Sequence, residues 1–207
     1  MRFAFALLLL ACPAAALSQP PAGLFLSPMG EPFRSNADNV GAWFALADGD
    51  RDDALTVEEM KQDAARFFAL LDSDGNGELG PGEIARYEND VAPEVQVGLQ
   101  MRGSGFGDWR GRGSRRRPVA MYDERIQGAG RYSFLNIPQP VIAADSEMNR
   151  GVSRVEFAQA AAERFAQLDS NRDGRVDRAE LPPLPQPRLR KKRNDEEDTP
   201  MLRRRGY

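Results

Sequence analysis

The chain has 207 residues, a formal net charge of −3 and no histidine. Without histidine, the usual general base, the Ser-His and Cys-His dyads and most zinc sites are excluded. Its single cysteine excludes a disulfide within the chain, so a bound metal ion is one alternative means of stabilising small folded units.

Residues 1–18 have the pattern of a secretory signal peptide. A positive charge is followed by an apolar run at residues 3–10 and by small residues before a cleavage site at 16–18. The run is too short for a membrane-spanning helix, which needs about 20 apolar residues. Residues 9–12 also resemble a lipobox, so a lipoprotein anchored at Cys12 is an alternative. We therefore expect an exported protein, either periplasmic or secreted.

Residues 19–35 form a proline-rich N-terminal segment that we expect to pack loosely ahead of the first helix. Beyond it, four twelve-residue segments share one spacing of oxygen-bearing side chains. They span residues 48–59, 72–83, 145–156 and 169–180. The second pair repeats the first at one constant offset along the chain, so the sequence contains an internal duplication.

This spacing suits a hard divalent cation. Calcium takes 6–8 oxygen ligands, and a twelve-residue loop supplies them from side chains at positions 1, 3 and 5, a backbone carbonyl at position 7, a side chain or water at position 9, and a bidentate glutamate at position 12. Position 6 needs a positive φ, which glycine adopts most easily.

Each of the four loops supplies a set of candidate calcium ligands. In the first loop they are Asp48, Asp50, Asp52, the Ala54 carbonyl, Thr56 and Glu59. In the second they are Asp72, Asp74, Asn76, the Glu78 carbonyl and Glu83. In the third they are Asp145, Glu147, Asn149, the Gly151 carbonyl, Ser153 and Glu156. In the fourth they are Asp169, Asn171, Asp173, the Arg175 carbonyl, Asp177 and Glu180.

The loops differ at position 6. Gly77 and Gly174 occupy it in the second and fourth loops, whereas Asp53 and Arg150 occupy it in the first and third. A left-handed non-glycine residue costs about 1 kcal/mol. We therefore predict the highest affinity in loops 72–83 and 169–180, lower affinity in 48–59 and the lowest in 145–156. The prediction is two to four calcium ions per chain.

The four motifs resemble the loops of the EF-hand family, in particular those of compact bacterial exported EF-hand proteins with closely spaced loops. The resemblance covers residues 36–91 and 138–181. It implies an all-α fold of two EF-hand modules, each of them helix–loop–helix–loop–helix. The family also implies a short β contact between loops through the apolar residue at position 8. Those residues are Leu55, Leu79, Val152 and Val176.

One amphipathic helix is predicted between the two loops of each module. Its buried face is formed in the first module by Met60, Ala64, Phe68 and Leu71, and in the second by Phe157, Ala161, Phe165 and Leu168. A helix over residues 60–71 is about 18 Å long, and it holds the two loops of a module apart. We therefore predict that loops pair across the modules or in a dimer.

The remaining segments separate or follow the modules at 36–91 and 138–181. Residues 92–137 are predicted to be a flexible Gly/Arg-rich basic linker, and 182–207 a disordered charged tail. The arginines at 110–117 are interpreted as a solvated linker or as a patch that contacts an anionic membrane surface or an envelope protein. Nucleotide binding is not expected because no strand precedes the glycines, and export argues against nucleic acid.

The sequence therefore predicts an exported, non-enzymatic calcium-binding protein with a structural, buffering or envelope-associated role. A calcium-dependent sensor or regulatory partner protein is the alternative. A hydrolase using acidic residues is a remote one, because every clustered carboxylate already has a position as a calcium ligand. The sequence leaves the oligomeric state open.

Overall fold

The computed structural model describes residues 23–35, 38–96, 120–121, 125–186 and 188–189. The predicted signal peptide at 1–18, the predicted lipobox at Cys12 and the arginines at 110–117 lie outside the described residues. None of the helices in the described part of the chain combines the length and the apolar character needed to cross a bilayer.

The described residues contain four α-helices. They are α1 at Asn39–Ala47, α2 at Val57–Leu71, α3 at Pro81–Arg86 and α4 at Arg154–Leu168. The two long helices, α2 and α4, each begin with a capping box, formed by Thr56 with Glu59 and by Ser153 with Glu156. The apolar residues predicted on their inner faces are buried. The predicted shared helix between the loops of each half is therefore confirmed.

The prediction of an all-α fold is wrong. Eight short strands form four antiparallel two-stranded sheets among the described residues. The strands are β1 at Phe25–Leu26, β2 at Pro32–Phe33, β3 at Ala54–Thr56, β4 at Glu78–Leu79, β5 at Ala120–Met121, β6 at Val152–Ser153, β7 at Arg175–Asp177 and β8 at Arg188–Leu189. The sheets are β1–β2, β3–β7, β4–β6 and β5–β8. The sheets β3–β7 and β4–β6 are the short inter-loop contacts expected from the position 8 residues. The sheets β1–β2 and β5–β8 were not anticipated, because their pairing satisfies backbone groups outside the loops.

The loops pair across the two halves of the chain. Leu55 of β3 lies opposite Val176 of β7, and Leu79 of β4 lies opposite Val152 of β6. Loop 48–59 therefore faces loop 169–180, and loop 72–83 faces loop 145–156. The predicted pairing across modules is confirmed, and it occurs within one chain.

The two halves share one hydrophobic core, so the prediction of two modules joined by a flexible linker is also wrong. The loop pairing places the start of α2 beside the end of α4, which makes these helices antiparallel neighbours. The Phe68 and Phe157 rings meet at a centroid distance of 5.6 Å in an edge-to-face arrangement. Neither helix can bury its apolar face without the other, which explains why the halves fold together.

The second half also lacks the helix–loop–helix–loop–helix order that was predicted. A 3₁₀ turn at Ile142–Ala144 precedes loop 145–156, and no helix follows loop 169–180 among the described residues. Pro138 and Pro140 before the third loop, and the Pro182–Pro183 pair after the fourth, disfavour α-helix at these points.

The described parts of 92–137 pack on the core instead of forming a free linker. Residues Pro93–Val95 and Gly128–Arg131 form 3₁₀ turns, and Val95 and Ala129 are buried. Strand β5 pairs with β8, so part of the tail predicted to be disordered is ordered at Arg188–Leu189.

The N-terminal hairpin β1–β2 is part of the same core, and the expectation that it packs loosely is wrong. Phe25, Leu26 and Met29 are completely buried. Tyr87 donates a hydrogen bond to the Gly30 carbonyl at 2.8 Å, and the buried Arg164 guanidinium donates one to the Pro28 carbonyl at 3.0 Å. These contacts hold the hairpin against the residues just after α3 and against α4.

Candidate metal centres

Three of the four loops bring carboxylates together. Oxygen atoms of each cluster lie within 4.8 Å of one another. The clusters are Asp48, Asp50 and Asp52 in the first loop, Asp72, Asp74 and Glu83 in the second, and Asp169, Asp173 and Glu180 in the fourth. Such concentrations of negative charge favour a bound cation.

All four loops share a set of hydrogen bonds that orient their predicted ligands. The position 1 aspartate accepts a hydrogen bond through Oδ2 from the position 6 N–H, at 2.9–3.1 Å. The position 5 side chain accepts one through Oδ1 from the position 7 N–H, at 2.7–3.1 Å. Since these contacts recur in every loop, the loops have one common conformation.

The position 12 glutamate is held from both sides in each loop. Its Oε2 accepts a hydrogen bond from the position 9 N–H, at 2.9–3.3 Å. Its Oε1 accepts one from an N–H at position 2 or 3, at 2.6–3.3 Å. These contacts join the beginning and the end of each loop. Partial desolvation alone would raise the pKa of Glu59, Glu83 and Glu156, but the hydrogen bonds outweigh it and lower the pKa of all three. The pKa of Glu156 falls to about 2.

The predicted left-handed conformation at position 6 is confirmed in every loop. Asp53 has φ 66°, Arg150 has φ 72°, and Gly77 and Gly174 have φ 85° and 83°. Position 4 is left-handed as well, with Arg51, Gly75, Met148 and Arg172 at φ 56–71°. The sequence analysis missed position 4, because three of these four residues are not glycine and show no local preference for this conformation.

Loop 72–83 contains an unsatisfied buried oxygen. Asp72 is 7 % exposed, and its Oδ1 has no hydrogen-bond partner. A buried carboxylate oxygen without a partner costs free energy unless a cation or donor satisfies it. Asp72 belongs to the cluster with Asp74 and Glu83. The donor set therefore fits a calcium ion, with Asp72 Oδ1 as one ligand.

Loop 48–59 shows mutual repulsion between its carboxylates. Desolvation, followed by the charges of Asp52 and Glu59, raises the pKa of Asp50. The Glu59 carboxylate is turned to the Gly49 and Thr56 N–H groups and is not part of the cluster. A divalent ion would relieve this repulsion.

Loop 145–156 has the common backbone conformation but no carboxylate cluster of the kind found in the other three loops. Glu147 and Arg150 are both exposed at its rim. The Ser153 hydroxyl, a predicted ligand, is hydrogen bonded to Glu156 in the capping box of α4. This loop therefore gathers fewer carboxylates than the other three, and its low calcium affinity stays a prediction.

Loop 169–180 combines the clustered carboxylates with an amide ligand. Asn171 Oδ1 accepts a hydrogen bond from the Asp173 N–H at 2.7 Å. The predicted position 9 ligand, Asp177, is instead turned to the N–H groups of Ala179 and Glu180, at 2.7 Å and 3.0 Å. A water molecule can supply the ligand at position 9.

Two arginines reach the first two loops from the loops that face them, which the sequence analysis did not anticipate. Arg154 donates to Asp72 Oδ2 at 2.8 Å, and Arg175 forms an ion pair with Asp52. Arg154 lowers the pKa of Asp72, and Arg175 lowers that of Asp52. The residues around each arginine do not predict its ion pair, because the pair forms only when two distant loops are aligned.

Comparison with protein families confirms the resemblance at the end of the second half. The EF hand family model matches residues 161–181, which cover the C-terminal half of α4 and all of loop 169–180. Comparison with curated proteins and with solved structures gives no significant match. An EF hand at this position indicates calcium binding.

Proposed function

We propose that the chain is a calcium-binding protein of the EF-hand type in which the ions stabilise a single folded unit. The observation that supports this most strongly is the buried, unpartnered Asp72 Oδ1 within a carboxylate cluster. The family match at 161–181 supports the same ligand for the fourth loop. Calcium would neutralise the carboxylates of these clusters that have no arginine partner in the ion-free protein.

The proposed sites are loops 48–59, 72–83 and 169–180, because only these gather three carboxylates. Loop 145–156 would serve mainly as the structural partner of loop 72–83 through β4 and β6. We propose that catalysis plays no part, since the loop carboxylates are held as ligands.

A structural role is favoured over a sensor role by the N-terminal hairpin, which is hydrogen bonded to Arg66 of α2 and to Arg164 of α4. A sensor exposes an apolar groove when calcium binds. Here the N-terminal hairpin lies in the core, with Phe25 within 5.7 Å of Trp43 and 5.1 Å of Phe134 between ring centroids. The Arg66 guanidinium further ties Glu31 of this hairpin to α2. Exposing a groove would require displacing this hairpin.

We also propose that the protein works outside the cytoplasm, as the sequence of residues 1–18 suggests. An envelope protein and an anionic membrane surface are the candidate partners. Extracellular modules of this type bind calcium at about 10⁻⁴–10⁻³ M, so the proposed sites would be filled by calcium in the surroundings of a cell.

Calcium is expected to raise the midpoint of thermal unfolding without exposing apolar surface. Each site filled at about 100 times its Kd adds about 2.7 kcal/mol, which corresponds to about 5–10 °C for a chain of this size. Unfolding would be followed by circular dichroism in calcium, in chelator and in magnesium as the ion control. An apolar dye added to the folded samples should fluoresce equally in calcium and in chelator. A strong calcium-dependent dye signal would favour the sensor role, and an unchanged midpoint would contradict the proposal.

A further inference from the structure

The two loops of each pair differ in which of them receives an arginine side chain from the other. The N-terminal loop of each pair receives an arginine from the C-terminal loop that faces it, as Asp72 does from Arg154 and Asp52 from Arg175. The position 1 aspartate of the fourth loop, Asp169, accepts hydrogen bonds only from backbone N–H groups among the described residues. Loops 72–83 and 169–180 are therefore similar in conformation, but only loop 72–83 has an arginine bound to its position 1 carboxylate.

Arg154 is fixed against loop 72–83 by three contacts. Its backbone N–H donates to the Gly77 carbonyl at 3.3 Å, through the β4–β6 pairing. Its guanidinium lies over the Phe68 ring, 5.5 Å from the centroid, and donates to Asp72 Oδ2. The Asp72 side chain is 1 % exposed and that of Arg154 is 60 % exposed, so a largely solvated guanidinium compensates a carboxylate that water barely reaches.

The guanidinium and the ion site lie on the two different oxygens of one carboxylate. Arg154 binds Asp72 Oδ2, whereas the unpartnered Oδ1 is the atom left for a metal ion. A calcium ion at Oδ1 and a guanidinium at Oδ2 would be separated by only a few ångströms and would repel each other. The arginine thus competes electrostatically with the ion without occupying its place.

We propose that Arg154 is the counter-cation of Asp72 in the ion-free protein and that it lowers the calcium affinity of loop 72–83. This inference rests on the proposed function.

The backbone amides of Gly77 and Gly174 report separately on loops 72–83 and 169–180. The Gly77 N–H donates to Asp72 Oδ2, and the Gly174 N–H donates to Asp169 Oδ2, at 3.1 Å and 3.0 Å. Their resonances in a ¹H–¹⁵N spectrum of the full chain, followed during a calcium titration, give one midpoint for each loop.

Arg154→Gln is expected to lower the Gly77 midpoint about tenfold, because it removes a repulsive charge a few ångströms from the ion. Arg154→Lys keeps the charge and should retain a midpoint near that of the wild type. The Gly174 midpoint should stay the same in both variants, because Arg154 does not contact that loop. The ion-free Arg154→Gln protein should also unfold at a lower temperature than the wild type.

A second variant, which adds an arginine to another loop, tests the inference even if Arg154→Gln does not fold. Val57 is at the same position of loop 48–59 as Arg154 is of loop 145–156, and it is only half-buried. Val57→Arg is therefore expected to place a guanidinium near Asp169 and to raise the Gly174 midpoint about tenfold. The Gly77 midpoint should not change.

An unchanged or higher Gly77 midpoint in Arg154→Gln would overturn the inference, since the arginine would then support the site instead of weakening it. An unchanged Gly174 midpoint in a folded Val57→Arg protein would also count against it. If neither amide responds to calcium in the wild type, the proposed function itself fails, and that result is distinct from both of the others.

Discussion

Replacing Glu83 and Glu180 together with glutamine is expected to weaken calcium binding at loops 72–83 and 169–180 by about 100-fold or more. Each of these glutamates supplies position 12, the bidentate ligand of its loop. Glutamine keeps the size and one oxygen acceptor but loses the negative charge and the second carboxylate oxygen. Losing a charge-assisted contact costs about 1.5–3 kcal/mol, and the upper end of that range corresponds to the change expected here.

The measurement is titration calorimetry of the wild type and of the double variant, after treatment with chelator. The matched control is Glu78→Gln with Glu163→Gln, which removes the same charge from one loop side chain and from the exposed surface of α4. Glu78 is predicted to supply only its backbone carbonyl, so this control should bind calcium nearly as the wild type does. Equal loss of binding in both proteins would show that overall charge, not the position 12 ligand, determines affinity.

Phe68→Ala is expected to lower the free energy of unfolding of the whole described structure by about 3–5 kcal/mol. Phe68 is 2 % exposed on α2, and its ring packs against Phe157 of α4. The substitution therefore removes contacts between the two halves of the chain. Because the halves share one core, both should be destabilised together.

The control for this substitution is Leu70→Ala, two residues further along the same helix. Leu70 is 59 % exposed, so the change should cost less than about 1 kcal/mol. Urea unfolding, monitored by Trp fluorescence and by circular dichroism, would measure both variants in the presence of calcium. Two separate transitions, with only the first half affected by Phe68→Ala, would contradict the shared core.

The loops were predictable from the sequence because their geometry is local. The left-handed turn at Gly77, the capping box at Thr56 and the alternation of oxygen ligands all depend on residues within one twelve-residue segment. The shared helices were predictable for the same reason, since their apolar residues recur with the period of a helix. The family match to residues 161–181 falls on one such helix and loop.

The arrangement of these parts was not predictable in the same way. The spacing of the loops excluded pairing within a module, but it did not determine whether they pair in one chain or between two chains. The packing of the hairpin at Phe25 and Leu26 depends on residues far away in the sequence, such as Phe134 and Arg164. The all-α prediction was wrong because short strands form only where such distant segments meet.

The contacts of the two arginines were also not predictable from the sequence. Arg154 and Arg175 belong by position to the third and fourth loops, yet their guanidinium groups bind carboxylates of the second and first. Only the register of the β3–β7 and β4–β6 pairs brings these groups together. The charge of a loop in this fold is therefore partly set by the loop that faces it.

Native mass spectrometry of the chain during a calcium titration tests the central claim most directly, because it counts the ions bound to each molecule. The account predicts that two ions bind first, at loops 72–83 and 169–180, and that a third follows at loop 48–59. Magnesium at the same concentration should not reproduce this series. A chain that takes up no calcium at millimolar concentration would contradict the account.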